Sequence, residues 1–219
     1  MERSDPEIRS DIVEALSRDS RVNTARITVA VEAGNVVLSG DTPTLYTTYI
    51  ANELAACVPG IHTVRNELAV VHASGVPGDS DIKNHAEHML KWNASVGARK
   101  INVGVASGYI TLSGEVDAYW QRCRAESLML DIQGVIAVVN KLEVIPDLIP
   151  QDRVIASDVK SAIARCACLD NDSISVEVEH GMVTLSGRVP SWWGKHNTPH
   201  LAASILGVKG VVDHLVVVR

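Results

Sequence analysis

Apolar positions along this chain alternate between two periods. Near the N-terminus Ile8, Ile12 and Leu16 recur at i, i+4 and i+8, the single stripe of a helix that covers something with its apolar face. A period-two run follows, with Ile27, Val29 and Val31 separated by Thr28 and Ala30, as in a strand buried on one face. Glu32-Ala33-Gly34-Asn35 then places Gly where a tight hairpin needs a positive φ, and a second strand runs to the Ser39-Gly40 pair. A second helix is predicted from Thr44 to Cys57, stopped by Pro59-Gly60, and a last strand from Thr63 to Val71.

This order of helix, strand, strand, helix, strand occurs three times. The segment Gly34-Asn35-Val36-Val37-Leu38-Ser39-Gly40 returns 74 residues later as Gly108-Tyr109-Ile110-Thr111-Leu112-Ser113-Gly114. It returns again, after 73 more, as Gly181-Met182-Val183-Thr184-Leu185-Ser186-Gly187. Gly60-Ile61, running to Leu68 and Val70, reappears as Gly134-Val135 to Leu142 and Val144, and as Gly207-Val208 to Leu215 and Val217, with the same two shifts. The helix stripe maps onto Ile82, Ala86 and Leu90, then onto Ile155, Val159 and Ile163. The strand triplet maps onto Ile101/Val103/Val105 and Ile174/Val176/Val178.

Residues 1–73, 79–146 and 151–219 are therefore expected to be three tandem αββαβ modules of α+β class. Each should be a small three-stranded sheet carrying two helices on one face. Gly34, Gly40, Gly108, Gly114, Gly181 and Gly187 are expected to be turn glycines. Three-fold repetition likewise explains Ser39, Ser113 and Ser186 as turn residues better than as nucleophiles. The linkers Ala73–Asp79 and Pro146–Pro150 are short, the second held by a Pro at each end, so the modules are expected to pack in a fixed arrangement.

Composition narrows the function classes. With 219 residues and 46% hydrophobic content the chain can bury a real core, which excludes disorder. The net charge of -6, with acids and bases interleaved and no basic run longer than Arg99-Lys100, supplies no stripe for a phosphate backbone, so nucleic acid is not an expected partner. Met1-Glu2-Arg3-Ser4-Asp5-Pro6-Glu7 lacks the apolar run of a secretory signal. The expectation is a cytoplasmic chain, with a periplasmic place as the alternative if a leader has been removed. Cys57, Cys123, Cys166 and Cys168 fall at different places in their repeats, which suits reduced thiols better than a repeated disulfide framework. Phosphate-loop, nucleophile-elbow and HExxH motifs are absent, so neither catalysis nor a cofactor is expected.

The Gly-x-Val-x-Leu-Ser-Gly hairpin and the ending Gly60-Ile61-His62-Thr63-Val64-Arg65-Asn66-Glu67-Leu68-Ala69-Val70 resemble those of the BON domain, a module first described in bacterial osmotic-shock and nodulation proteins. The second ending, Gly134-Val135-Ile136-Ala137-Val138-Val139-Asn140-Lys141-Leu142-Glu143-Val144, carries the same resemblance. The third departs, with Asp213 where Asn66 and Asn140 stand; Asp keeps the local hydrogen-bonding capacity. The resemblance covers the whole chain three times. It implies binding of phospholipid or other envelope components, often in periplasmic proteins of the osmotic stress response; the missing signal segment is closer to a cytoplasmic triple-BON variety.

Five and six residues past each Ser-Gly glycine stands a bulky pair, Leu45-Tyr46, Tyr119-Trp120 and Trp192-Trp193, one member of which should pack the second helix on its sheet. In the third module Gly194-Lys195-His196-Asn197-Thr198-Pro199 follows. The expectation there is a late helix with Thr198 as N-cap and Pro199 at its first position, leaving Trp192 and Trp193 in a loop. Two Trp with Lys195 beside them would then form a partner or membrane-interface contact. His196/His200 and His85/His88 have helical metal-ligand spacing, but two ligands make an incomplete site and Pro199 disturbs the first pair, so no metal is expected. Cys166-Ala167-Cys168 is not CxxC and has no second pair. The function expected is non-enzymatic binding of phospholipid or envelope, the alternative a protein-interaction or chaperone-like stress module without lipid affinity.

Overall fold

The computed structural model describes residues 3–71, 75, 77–96, 101–166, 173–190 and 192–218. Arg99-Lys100, Cys168 and Ala73, Ser74 and Val76 of the first linker lie outside the described residues. The first module comprises α1 (Asp5–Arg18), β1 (Ile27–Glu32), β2 (Asn35–Thr42), α2 (Leu45–Ala56) and β3 (Thr63–Val70). The second comprises α3 (Asp79–Trp92), β4 (Ile101–Ala106), β5 (Tyr109–Val116), α4 (Tyr119–Leu130) and β6 (Ala137–Val144). In the third are α5 (Asp152–Ala164), β7 (Ile174–Glu179), β8 (Met182–Val189), α6 (Trp192–Ala203) and β9 (Gly210–Val217). The class is α+β, and each αββαβ module has its own three-stranded sheet.

The second strand is central in every sheet. β1 runs antiparallel to β2 through a two-residue loop, with Ala33 at φ 47° and Gly34 at φ 74°, as a type I′ turn requires. β3 lies parallel to β2, a pairing that needs a crossover, and α2 supplies it. Module 3 repeats the register residue for residue: Val29↔Leu38↔Asn66 becomes Val176↔Leu185↔Asp213. Ile8, Ile12 and Leu16 are almost wholly buried against Val29, Val36 and Leu38, and Ile155, Val159 and Ile163 against Val176, Val183 and Leu185. Each such side chain contributes about 1.5–3 kcal/mol on burial.

Helix α1 begins with a capping box in which Ser4 donates to Glu7 from its amide (2.9 Å) and its hydroxyl (2.8 Å). A tie beside it recurs in all three modules. The Asp5 carboxylate accepts the amides of Ala33 and Gly34 at 2.8 and 3.0 Å, Asp79 those of Ser107 and Gly108 at 2.8 and 2.9 Å, and Asp152 those of His180 and Gly181 at 2.8 and 3.0 Å. One side chain thus satisfies the exposed donors of the hairpin and fixes the start of the first helix against it.

Two expectations are corrected. Gly40, Gly114 and Gly187 are not turn residues: they lie inside β2, β5 and β8 at φ 120°, 120° and 133°, with Ser39, Ser113 and Ser186 beside them in the strands. At Gly40 a Cβ would stand 2.0 Å from the Arg26 carbonyl oxygen, and at Gly187 2.0 Å from that of Ser173, so close backbone approach at the start of the neighbouring strand demands glycine. The second correction concerns α6, which starts at Trp192 and runs through Pro199. Pro199 removes one amide donor, but Gly194 and Thr198 are buried on the inner face and the Thr198 hydroxyl donates to the Gly194 carbonyl at 2.6 Å. Ala202 and Ala203 extend the same buried face, so packing overrides the weak local propensity.

Candidate functional site at the start of the second helix

In each module the central strand turns directly into the second helix, and the bulky pair occupies the helix's first two positions. In α2 the turn is closed by Thr44, whose hydroxyl accepts the Thr47 amide at 3.2 Å. α4 is capped from within: the Gln121 side-chain oxygen accepts the amides of Asp117 and Ala118 at 2.9 and 3.2 Å, and its amino group donates to the Ser95 carbonyl at 3.0 Å.

The pairs are used differently. Tyr46 packs against its own module's core, and its hydroxyl accepts from Arg21 at 3.1 Å. Arg21 also holds Asp19 at 2.6 Å, and that contact pulls the Asp19 carboxyl down to about 2. Tyr119 instead packs against the cluster formed by Ile155, Val159, Val208 and Leu215 of module 3, and the Val211 backbone hydrogen-bonds its hydroxyl. Burial pushes the Tyr119 phenol above its ordinary value, and the Arg122 guanidinium lies 5.9 Å over the ring. One turn on, the Cys123 thiol is likewise pushed up by burial. Trp120 remains 38% exposed.

In module 3 Trp192, Trp193 and Lys195 together make the first turn of α6, with Lys195 half-buried, rather than standing in a loop. His196 and His200 follow on the same helix with ring centroids 4.9 Å apart, edge to face. Burial lowers the His196 pKa. His85 and His88 are both exposed on α3. Cys57, Cys123 and Cys166 are free thiols. Among the described residues no group of three or more His, Cys, Asp or Glu is placed to hold a metal ion. No helix there is long and apolar enough to cross a membrane.

One link between the last strand and the second helix escapes a reading of types alone. Asn66 accepts the Leu68 amide at 3.1 Å and donates to the Thr48 carbonyl of α2 at 3.0 Å; Asn140 does the same with Leu142 (3.2 Å) and the Arg122 carbonyl (3.0 Å). Asp213 keeps the strand half, accepting the Leu215 amide at 2.7 Å, but its side chain lacks the amide N–H that Asn66 and Asn140 give to a helix carbonyl. The Asp5/Asp79/Asp152 tie was also within reach of the sequence, because those residues keep the 74 and 73 spacing of the repeat.

Three αββαβ modules with the same element order, the first and third carrying a strand glycine whose place leaves no room for a side chain, define a tandem-module protein. Residues 4–72, 78–146 and 151–219 each match the BON domain, and the chain belongs to the BON-domain family. It is 28% identical over 144 residues to osmotically-inducible protein Y of Escherichia coli (strain K12), covering 64% of this chain and 72% of that protein. It is 30% identical over 129 residues to a 21 kDa hemolysin of Actinobacillus pleuropneumoniae, covering 57% of this chain and 66% of that one. Among solved structures, the C-terminal domain of CdsD, the structural protein of the Type III secretion system of Chlamydia trachomatis, aligns over 96% of each chain at 13% identity. The TM-score is 0.28.

Proposed function

We propose that this chain is a non-enzymatic binding protein of the stress response whose third module docks on a phospholipid or cell-envelope surface through Trp192, Trp193 and Lys195. The observation that carries this reading is the first turn of α6, where two consecutive Trp and a Lys stand at the position that Leu45-Tyr46 and Tyr119-Trp120 occupy in the other modules. Indole rings favour the interface between headgroups and acyl chains. With a net charge of -6, attraction to anionic lipid is weak, so the surface engaged is neutral in headgroup and contact is chiefly apolar. Family membership and similarity to an osmotically inducible protein support the stress setting.

A second reading, docking on a protein, is favoured by Tyr119, which at the equivalent position packs against protein rather than lipid. Co-sedimentation with phosphatidylcholine vesicles and with vesicles containing phosphatidylglycerol, at low and moderate salt, separates the two. The wild type is expected to pellet with neutral vesicles largely independently of salt, and the Trp192→Ala/Trp193→Ala variant to lose at least ten-fold in bound fraction. Absence of the wild type from both pellets overturns the lipid reading and leaves the protein-docking one.

A further inference from the structure

Tyr119 belongs to the first turn of α4 in module 2, yet it packs on the buried cluster of module 3, in company with Leu201, Ile205 and Val211. The Val211 backbone, on β9, hydrogen-bonds its hydroxyl. From the other side it is held by Arg122, whose guanidinium lies 5.9 Å over the ring and donates to the Asn140 carbonyl of β6 at 3.2 Å. Asn140 donates in return to the Arg122 carbonyl and to the Glu126 carboxylate, both at 3.0 Å. A contiguous chain of packed and hydrogen-bonded groups therefore runs from β6 of module 2, through Asn140, Arg122 and Tyr119, to β9 of module 3.

The strand that receives Tyr119 lacks a restraint that its counterparts have. Asp213 of β9 has no side-chain amide, whereas Asn66 of β3 and Asn140 of β6 each donate from theirs to the second helix. Helix α6, which packs beside β9, contains Pro199 and gives up one amide of its own ladder. Val211 stands two residues before Asp213 on the same strand. We infer that Tyr119 is a latch between modules, supplying from module 2 a restraint on β9 and α6 that Asp213 does not give from within module 3. Opening of β9 and α6 then requires the Tyr119 contact to break, so module 3 depends on module 2 for part of its stability and the two open as one cooperative unit. Leu45 occupies the equivalent place in module 1, with neither a ring to face a guanidinium nor a hydroxyl to meet a strand, so module 1 does not carry the device.

Hydrogen-exchange mass spectrometry on the full chain, comparing the wild type with Tyr119→Leu, Tyr119→Phe and Tyr109→Ala, tests the latch. Tyr119→Leu carries module 1's residue at this place and keeps an apolar side chain at the helix start, so it is expected to retain the wild-type circular dichroism. Its amides in β9 and α6 should exchange at least ten-fold faster, although the substitution lies in another module. Tyr119→Phe, which loses only the hydroxyl, should accelerate the start of β9 by about three-fold. Tyr109→Ala removes a half-exposed tyrosine from the same module and should leave β9 at the wild-type rate. Unchanged exchange of β9 and α6 in Tyr119→Leu, acceleration confined to α4 and β5, or an equal acceleration of β9 by Tyr109→Ala overturns the latch. Should Tyr119→Leu fail to fold, Tyr119→Phe decides, and wild-type exchange in its β9 overturns the latch.

Discussion

Modules 1 and 3 have the same sheet, the same register and the same first-helix stripe, yet their second helices are held by different means. In α2 the helix is regular: Thr44 caps it, Ala51 is wholly buried on its inner face, and Asn66 reaches from β3 to bond the Thr48 carbonyl. In α6 the residue at the place of Ala51 is Thr198, that at the place of Asn52 is Pro199, and that at the place of Asn66 is Asp213. The strand-to-helix bond has no donor, the ladder loses an amide, and a side-chain bond from Thr198 to Gly194 ties the same turn. Identical frames thus tolerate a helix whose local bonding has been rewritten, because the buried face decides whether it forms.

If the frames are equivalent, Gly40→Ala and Gly187→Ala should be the most damaging comparable changes. Each forces a Cβ onto a backbone oxygen 2.0 Å away at a φ that disfavours L side chains, for about 3 kcal/mol or more. Urea unfolding should show similar losses for both variants; a neutral effect at either position would break the equivalence. Next in size is a reciprocal pair on the second helices. Pro199→Ala restores the missing amide and should stabilise the protein by about 2 kcal/mol, while Asn52→Pro should cost about 3 kcal/mol. Should Pro199→Ala instead destabilise, the proline is being used by its surroundings and α6 is not simply a weakened α2.

Much of this frame is written in the residues. Gly34 and its counterparts announce their turns because a type I′ loop needs φ > 0, and Ile8, Ile12 and Leu16 announce a helix by spacing alone. Gly40 misleads, since Ser-Gly at the end of an apolar run has turn chemistry, whereas the carbonyl of Arg26 that excludes a side chain comes from across the sheet. Helix α6 misleads for a related reason: Gly194 and Pro199 are breakers by propensity, and the burial of Thr198 and Ala202 that outweighs them is tertiary. The partner of the bulky pair is least legible. Tyr46 and Tyr119 are similar in chemistry and both open second helices, but one packs on its own core and the other on the next module's, a choice no local pattern encodes.

The smallest expected difference between the two modules is one of pH. His196 corresponds to Tyr49, whose phenol burial holds at about 12, so module 1 carries no titration at that position in acid or neutral solution. Burial lowers the His196 pKa below 6.5, so the unfolded chain takes up its proton first as pH falls. The stability contributed by the neutral, packed ring is therefore fully present above about 6.5, is lost as pH falls from there to the lower folded value, and does not change further below it. Thermal melts of the wild type and of His196→Tyr, which carries module 1's residue, should be compared from pH 7.5 to 5. The two proteins differ at no other position, so the comparison isolates residue 196. The wild type is expected to lose Tm more steeply than the variant across that window. Parallel curves would mean that His196 is as hydrated in the folded protein as in the unfolded chain, and that the second helices of modules 1 and 3 differ in bonding but not in burial.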